Sequence, residues 1–142
     1  MEEIKRYEVS ENAKNDLIRR ISERLSARPE IEFAYLYGSF LEGGYFRDID
    51  VAIYAEGVKV EEFFDYEDAV ASELKQVLNI SAPIDVRLLN RSPIVFRYNV
   101  LKGKLIVNND DEKRVGFVVR VLSRYLDLQP ILQHHQKEVF IH

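Results

Sequence analysis

The sequence predicts an α/β (α+β) fold: a small mixed β-sheet of about four strands covered by helices, ending in a long C-terminal helix. Three observations predict it. Short apolar runs rich in β-branched and aromatic residues fall at residues 31–37, 47–54, 84–89 and 104–107, all within strand length. Longer segments between and around them carry apolar residues at the i, i+3, i+4 spacing of amphipathic helices. The chain has 142 residues, 46% of them hydrophobic, which suffices for a single domain over residues 1–142 to bury its own core without staples.

The elements follow in order. Residues 12–27 place Ala13, Leu17, Ile18, Ile21 and Leu25 on one helical face, and Pro29 closes that helix. The first strand spans 31–37, a brief helical turn covers 39–42, and the second strand covers 47–54. Residues 60–78 form a helix whose Phe63, Phe64, Val70, Leu74, Val77 and Leu78 are available to cover the sheet. Ser81-Ala82-Pro83 leads into the third strand, and Ser92-Pro93 opens the next helix with serine as cap and proline at its first position. A short strand at 104–107 precedes the final helix, whose acidic start at Asp110-Asp111 suits the helix dipole. That helix holds Val115, Phe117, Val118, Val121, Leu122, Tyr125 and Leu126, and Pro130 is expected to kink or restart it near Asp127-Leu128. Past Pro130, the stripe Ile131, Leu132, Val139, Phe140 and Ile141 either packs back on the domain or faces a partner subunit.

The chemistry concentrates between the first two strands. Gly38-Ser39 forms a small-residue turn, and Asp48 and Asp50 stand two apart at the head of an apolar run. In an extended strand residues i and i+2 share a face, so the two carboxylates project together while Ile49 turns into a core. Such a pair repels itself unless a cation lies between the carboxylates or one of them keeps its proton. Magnesium suits these hard oxygen donors, with substrate phosphates completing its shell. Gly38 lets a phosphate approach the backbone, and Ser39 offers a hydroxyl and free N–H groups. The competing structural reading, in which the aspartates cap a helix or decorate a turn, fits poorly with Asp50 inside the apolar run 49–53.

Together, Gly38-Ser39 and Asp48-Ile49-Asp50 resemble the Gly-Ser…Asp-x-Asp signature of the DNA polymerase β-like nucleotidyltransferase superfamily, in its minimal nucleotidyltransferase (MNT) form. The resemblance covers most of the chain. Pro83-Ile84-Asp85-Val86-Arg87-Leu88-Leu89 looks like the strand that bears the family's third acidic residue, at Asp85; an exposed edge-strand aspartate is the plainer alternative. Only eight residues separate Ser39 from Asp48, a shorter connection than in some relatives, and Arg47 stands where those relatives carry a serine. The resemblance implies catalytic and metal-binding roles for Asp48, Asp50 and Asp85, nucleotide-phosphate binding at Gly38 and Ser39, two Mg2+ ions, and ATP as substrate. It further implies a HEPN-domain toxin as partner. Transfer of AMP to a tyrosine of that toxin would make this chain an antitoxin that neutralises an RNase. Two alternatives stay open: an antitoxin that acts by binding alone, and an adenylyltransferase acting on a small molecule or an RNA end.

Composition narrows the remaining classes. A net charge of -4 argues against a broad nucleic-acid surface, although Arg87, Arg91, Arg97, Lys102, Lys104, Lys113 and Arg114 make the region after Asp85 locally positive. The absence of cysteine excludes disulfides and thiolate-bound zinc. His134, His135 and His142 cluster at the C-terminus and read as solvated helix-end residues. No apolar leader or run of membrane-spanning length occurs, so the expected location is cytoplasmic. Tyr35, Tyr37, Tyr45 and Phe46 lie near the motif, where they either stack on a base or fill the core.

Overall fold

The computed structural model describes residues 5–141, with side chains described through His134. Helix α1 (Glu11–Ser26) leads into β1 (Ile31–Tyr37), a 3-10 turn (Ser39–Leu41) and β2 (Ile49–Ala55). Helix α2 (Phe63–Leu78), β3 (Ile84–Leu88), α3 (Ile94–Leu101), β4 (Lys104–Asn108) and α4 (Asp111–Ile141) complete the order. The four strands form one mixed sheet in the order β3-β2-β1-β4. β1 runs antiparallel to both β2 and β4, and β2 runs parallel to β3.

Alternation along the strands separates two cores. One face carries Ala34, Leu36, Val51, Ile53, Val86 and Leu88, which pack with Leu17, Ile21, Val70 and Leu74 of α1 and α2. The opposite face carries Phe33, Tyr35, Ala52 and Leu89, which pack with Val100 of α3 and with Phe117 and Val121 of α4. Phe33 anchors this second core, stacking on Tyr54 at 5.1 Å and lying 5.2 Å from Phe117. The central strands are therefore apolar on both faces, which explains why β1 reads as a hydrophobic run from Phe33 to Tyr37.

Local chemistry sets the ends of the elements. Ser10 caps α1 by accepting a hydrogen bond from Ala13 N at 3.1 Å, and Asp110 caps α4 by accepting one from Lys113 N at 3.1 Å. At the α3–β4 turn a Cβ on Gly103 would lie 2.0 Å from the Leu36 carbonyl oxygen, so the chain passes β1 closely only because this residue has no side chain.

Several boundaries differ from the sequence reading. β2 starts at Ile49 rather than at residue 47, because Arg47 belongs to the turn whose N–H is bound to Ser39. α2 starts at Phe63, after a separate 3-10 turn at Val60–Glu62. Pro93, with extended backbone angles, is the cap of α3 and not its first helical residue. Ser92 caps nothing there; its hydroxyl donates back to the Leu89 carbonyl.

Pro130 neither ends nor restarts α4, which is assigned as helical through it. The proline ring and Leu126, whose carbonyl loses its partner, both lie at the exposed surface, where water can take up the lost hydrogen bond. α4 also buries less than its sequence pattern suggests: Phe117 and Val121 are buried, whereas Val115, Val119, Leu122, Leu126 and Ile131 are exposed. The side chains of His135, Val139, Phe140 and Ile141 lie outside the described residues, as does His142; His134 is exposed. Among the described residues no helix is long and apolar enough to cross a membrane.

Phe117 sits fully buried between α4 and the sheet, so Phe117→Ala should lower the unfolding free energy by about 3–5 kcal/mol. Phe64→Ala, at a side chain 82% exposed, should change it by less than about 0.5 kcal/mol. Urea unfolding curves of the two variants provide the check.

Candidate functional site

The sheet register assembles the site at one end of the aromatic face. Tyr37 on β1 pairs with Asp50 on β2, and Asp50 pairs with Asp85 on β3. Paired residues project to the same side of a sheet, so the two aspartates lie side by side where the cover of α3 and α4 runs out. Ile49 turns the other way and is fully buried, as the i, i+2 argument requires. Asp48 lies just before the strand, near enough for its carboxyl to raise that of Asp50.

Gly38 lies directly against the Asp50 carboxylate. Its φ of +84° and ψ of −160° lie in a region that only glycine occupies comfortably, and a Cβ there would stand 2.4 Å from Asp50 Oδ2. Any larger residue would displace the carboxylate. Ser39 opens the following turn, its hydroxyl accepting a hydrogen bond from the Arg47 N–H at 3.3 Å. The shortened connection is thereby folded back on the Gly-Ser turn.

Electrostatics confirm that the carboxylates are crowded. Burial, followed by the hydrogen bond and charge of Asp48 and then the charge of Asp85, pushes the Asp50 carboxyl up to about 7. The Tyr37 phenol is likewise raised, by burial first and then by Asp50 and Asp85. Asp85 is balanced differently: Arg87 Nε donates to its Oδ2 at 3.2 Å, and the guanidinium lies 5.7 Å from the Phe96 ring centroid. Among the described residues no three acidic or histidine side chains stand close enough to hold an ion as they are placed. The donor set nonetheless fits magnesium. Asp48 and Asp50 crowd each other, a repulsion that an ion between them would relieve, and rotation of Arg87 would free a third oxygen donor beside them.

Two cavities flank the carboxylates. One, about 630 Å³, runs along the outer edge of β3 and is lined by Asp85, Arg87, Phe96 and, from α2, Phe64, Glu67 and Asp68. The other, about 390 Å³, lies beside Ser39 and is lined by Arg6, Tyr45, Phe46 and Arg47. A third cavity, about 660 Å³, opens at the far end of β2, where Lys113 ties Glu56 and Glu32 together and Asp110 caps α4, so these three of its lining groups, Glu56, Lys113 and Asp110, are engaged in the fold.

Of the aromatic candidates, Tyr35 and Phe46 are buried and Tyr37 packs edge-on against Phe96 at 5.5 Å; Tyr45, 63% exposed, is the one open to a ligand. The positive run after Asp85 does not form one patch. Arg97 donates to the Leu89 and Asn90 carbonyls, Lys113 bridges Glu32 and Glu56, and Arg114 pairs with Asp111. Sequence reasoning overlooked Arg6, which an isolated bridge between Tyr7 and Phe46 brings to the loop. The alternation Tyr7-Glu8-Val9 was the available signal.

Comparison with known proteins places these features in a wider group. Residues 19–112, well over half the chain, match the family described as polymerase beta, nucleotidyltransferase. Curated proteins yield no significant match. Among solved structures, a Shewanella oneidensis complex of a tri-AMPylated HEPN toxin with an MNT antitoxin aligns with 22% identity over 91% of this chain and 97% of that one, TM-score 0.61. A toxin-antitoxin structure described as MntA-HepT aligns with 21% identity over 92% and 99%, TM-score 0.61. A toxin-antitoxin structure with AMP-PNP aligns with 24% identity over 93% and 99%, TM-score 0.63. At these identities the likeness is one of fold.

Because Asp50 holds its proton up to about 7 in the folded chain and releases it near 3.8 in an ordinary setting, the folded chain binds more protons across that window. In the absence of metal, this group's contribution to stability falls as pH rises through it. Asp50→Asn should remove that fall. The contrast between variant and wild type isolates the group, since Glu73, held low by its hydrogen bond from Arg28, acts in the opposite sense at lower pH. Denaturation midpoints in chelator across pH 4 to 7 test this, and parallel profiles for the two proteins would refute it.

Proposed function

The chain belongs to the polymerase beta nucleotidyltransferase family, and from that footing we propose that it is an antitoxin that transfers AMP from ATP to a tyrosine of a HEPN-domain toxin, neutralising the toxin's RNase activity. The observation that carries the reading is the carboxylate pair Asp48–Asp50 against the bare Cα of Gly38, with Asp85 in register beside it. In this reading residues 1–142 act as one minimal nucleotidyltransferase domain. The fold likeness to structures described as MNT antitoxin with tri-AMPylated HEPN toxin, and as a toxin-antitoxin with AMP-PNP, supports the choice of nucleotide and acceptor.

The reaction joins an acceptor hydroxyl oxygen to the α-phosphorus of ATP and breaks the bond from that phosphorus to the β-phosphate bridging oxygen, so that pyrophosphate leaves with the electron pair. Asp48 and Asp50 would hold magnesium, and Asp85 would complete the set for two ions once Arg87 turns away. Bound magnesium supplies Lewis-acid charge for the attacking and departing oxygens. Asp85 also lies where it can take the acceptor proton, on the strand next to Asp50 and open to the cavity along β3. Gly38 leaves room for phosphate at the backbone, and the Ser39 hydroxyl, which accepts from the Arg47 N–H, can donate its own hydrogen to a phosphate oxygen. Their role is positioning, the main demand of phosphoryl chemistry.

Partner binding draws on α4. Val115, Val119, Leu122 and Leu126 are exposed at spacings of four, three and four, an apolar seam on one side of the helix. Such a seam suits a helical partner.

Asp48→Asn should reduce label transfer from α-phosphate-labelled ATP to the toxin by about a hundredfold or more while the circular dichroism spectrum and the complex persist. Transfer at the wild-type rate in this variant would sink the catalytic assignment. Neutralisation of the toxin by the variant in a growth assay would favour an antitoxin that acts by binding.

A further inference from the structure

We propose that the open edge of β3 is the docking site for the acceptor: an extended, basic segment of the partner that adds a strand to the sheet and seats its tyrosine beside Asp85. The inference rests on the proposed nucleotidyl transfer and names the form and charge of the chain that receives AMP.

The sheet has two edges, and the fold treats them differently. β4 pairs with β1 through a bulge, Ala34 meeting Val107 and Tyr35 meeting Leu105, and the carbonyl of the extra residue, Ile106, accepts a hydrogen bond from the Ser22 hydroxyl of α1 at 2.5 Å. A bulge and a contact from a covering helix are common ways of closing an edge to further strands. β3 has no bulge, and its register with β2 is unbroken from Ile84 to Leu88. Ile49 N donates to the Pro83 carbonyl and Leu89 N to the Ile53 carbonyl, so by alternation the backbone of Asp85 and Arg87 turns to β2, and that of Ile84, Val86 and Leu88 turns outward. Glu67 of α2 confirms the direction, its Oε2 accepting from Leu88 N at 2.7 Å. Among the described residues no such contact reaches the outward N–H and C=O of Val86.

The cavity of about 630 Å³ runs along this edge and is lined by every residue of β3. Pro93 and Phe96 stand on one side of it; on the other, α2 presents Phe64, 82% exposed, with Glu67 and Asp68. An aromatic ring left in water beside an unpaired strand edge marks a surface that another chain covers. The charge of the groove selects that chain. Glu61, Glu62, Asp65, Glu67 and Asp68 follow one another closely, and no lysine or arginine occurs between residues 60 and 74. Arg24 and Arg28, which do reach α2, engage Glu73 in its second half. Arg87, the cation that lines the cavity, is taken by Asp85 at 3.2 Å. The field over the edge is therefore negative, and the strand that complements it carries lysine or arginine.

Strand periodicity fixes where the tyrosine stands. A residue seated opposite Val86 in the antiparallel sense exchanges both backbone hydrogen bonds with it. The next residue of the added strand lies opposite Asp85 and, like Asp85 and its neighbour Asp50, projects to the aromatic face of the sheet. A tyrosine at that position can lay its ring against Phe96, which lines the same cavity, with its hydroxyl on the side of the carboxylates. Main-chain bonds to Val86 then supply affinity, and the acidic wall of α2 supplies the choice of sequence.

The test offers the full chain, with magnesium and α-phosphate-labelled ATP, a valine-rich peptide whose single tyrosine is flanked by lysines. Its comparators are the same peptide with glutamates for lysines, an alanine-rich helical peptide of equal charge with one tyrosine, and N-acetyltyrosinamide. The lysine-flanked extended peptide should be labelled with a kcat/KM roughly tenfold or more above each comparator. N-methylation of the two residues flanking its tyrosine removes the donors aimed at β3 and should cost about tenfold, whereas N-methylation of the tyrosine itself, whose N–H points away, should cost little. Phe64→Ala and Asp68→Lys, both at exposed side chains, should raise KM for this peptide by a similar factor and leave transfer to N-acetyltyrosinamide unchanged. Equal or better labelling of the helical peptide, or labelling indifferent to N-methylation and to both variants, would overturn the edge site while leaving nucleotidyl transfer intact. Absence of peptide labelling by a protein that binds the β,γ-imido analogue of ATP in calorimetric titration would do the same. A wild-type chain that neither binds that analogue nor transfers label would remove the proposed function and the docking site together.

Discussion

The register between β1 and β2 is the constraint on which the rest of the molecule depends. Pairing Tyr37 with Asp50, and Leu36 with Val51, decides at once which side chains enter each core and where the carboxylates emerge. A shift by one residue would exchange the faces, driving Asp50 toward the core shared with α1 and α2 and turning Val51 and Ile53 to the aromatic side. Gly38 helps to hold that register at its functional end, because only the absence of a side chain lets the Asp50 carboxylate lie against the chain. Gly103 serves the other neighbour of β1, allowing the α3–β4 turn to pass the Leu36 carbonyl. The two glycines thus secure opposite flanks of the same strand.

The site is an arrangement of opposed charges held apart by the sheet. Asp48 and Asp50 crowd each other in partial burial, a condition that favours proton retention or a cation. Arg87 answers Asp85 from its own strand, two residues away and on the same face, so the third carboxylate is neutralised within β3. Across the Gly38-Ser39 turn the sign reverses, with Arg6 and Arg47 facing each other. The overall charge of -4 conceals that polarity.

Helix α4 divides its labour along its surface. Phe117 and Val121 close the aromatic core, aided by Arg97, whose guanidinium lies 5.1 Å from the Phe117 ring, and by the stack of Tyr98 on Tyr125 at 3.6 Å. Val115, Val119, Leu122, Leu126 and Ile131 face outward, which an isolated domain gains nothing from exposing. The helix is therefore both a wall of the fold and a surface available to another chain.

Much of this was legible in the residues themselves. β1 at 31–37 needs only a run of apolar residues bounded by turn formers, and the shared face of Asp48 and Asp50 follows from strand periodicity, with Ile49 driven inward by its own hydrophobicity. Asp110 as the acidic start of α4 follows from helix-end electrostatics. The cap of α3 and the continuity of α4 through Pro130 were misjudged, because what surrounds a proline decides whether the lost hydrogen bond is felt. That Asp85 stands in register with Asp50, that Arg87 occupies it, and that Arg6 meets Arg47 are facts about strands distant in sequence. Local patterns specify which side chains share a strand's face; only the pairing of those strands in space determines which charges become neighbours, and it is that pairing that turns scattered aspartates and arginines into a site.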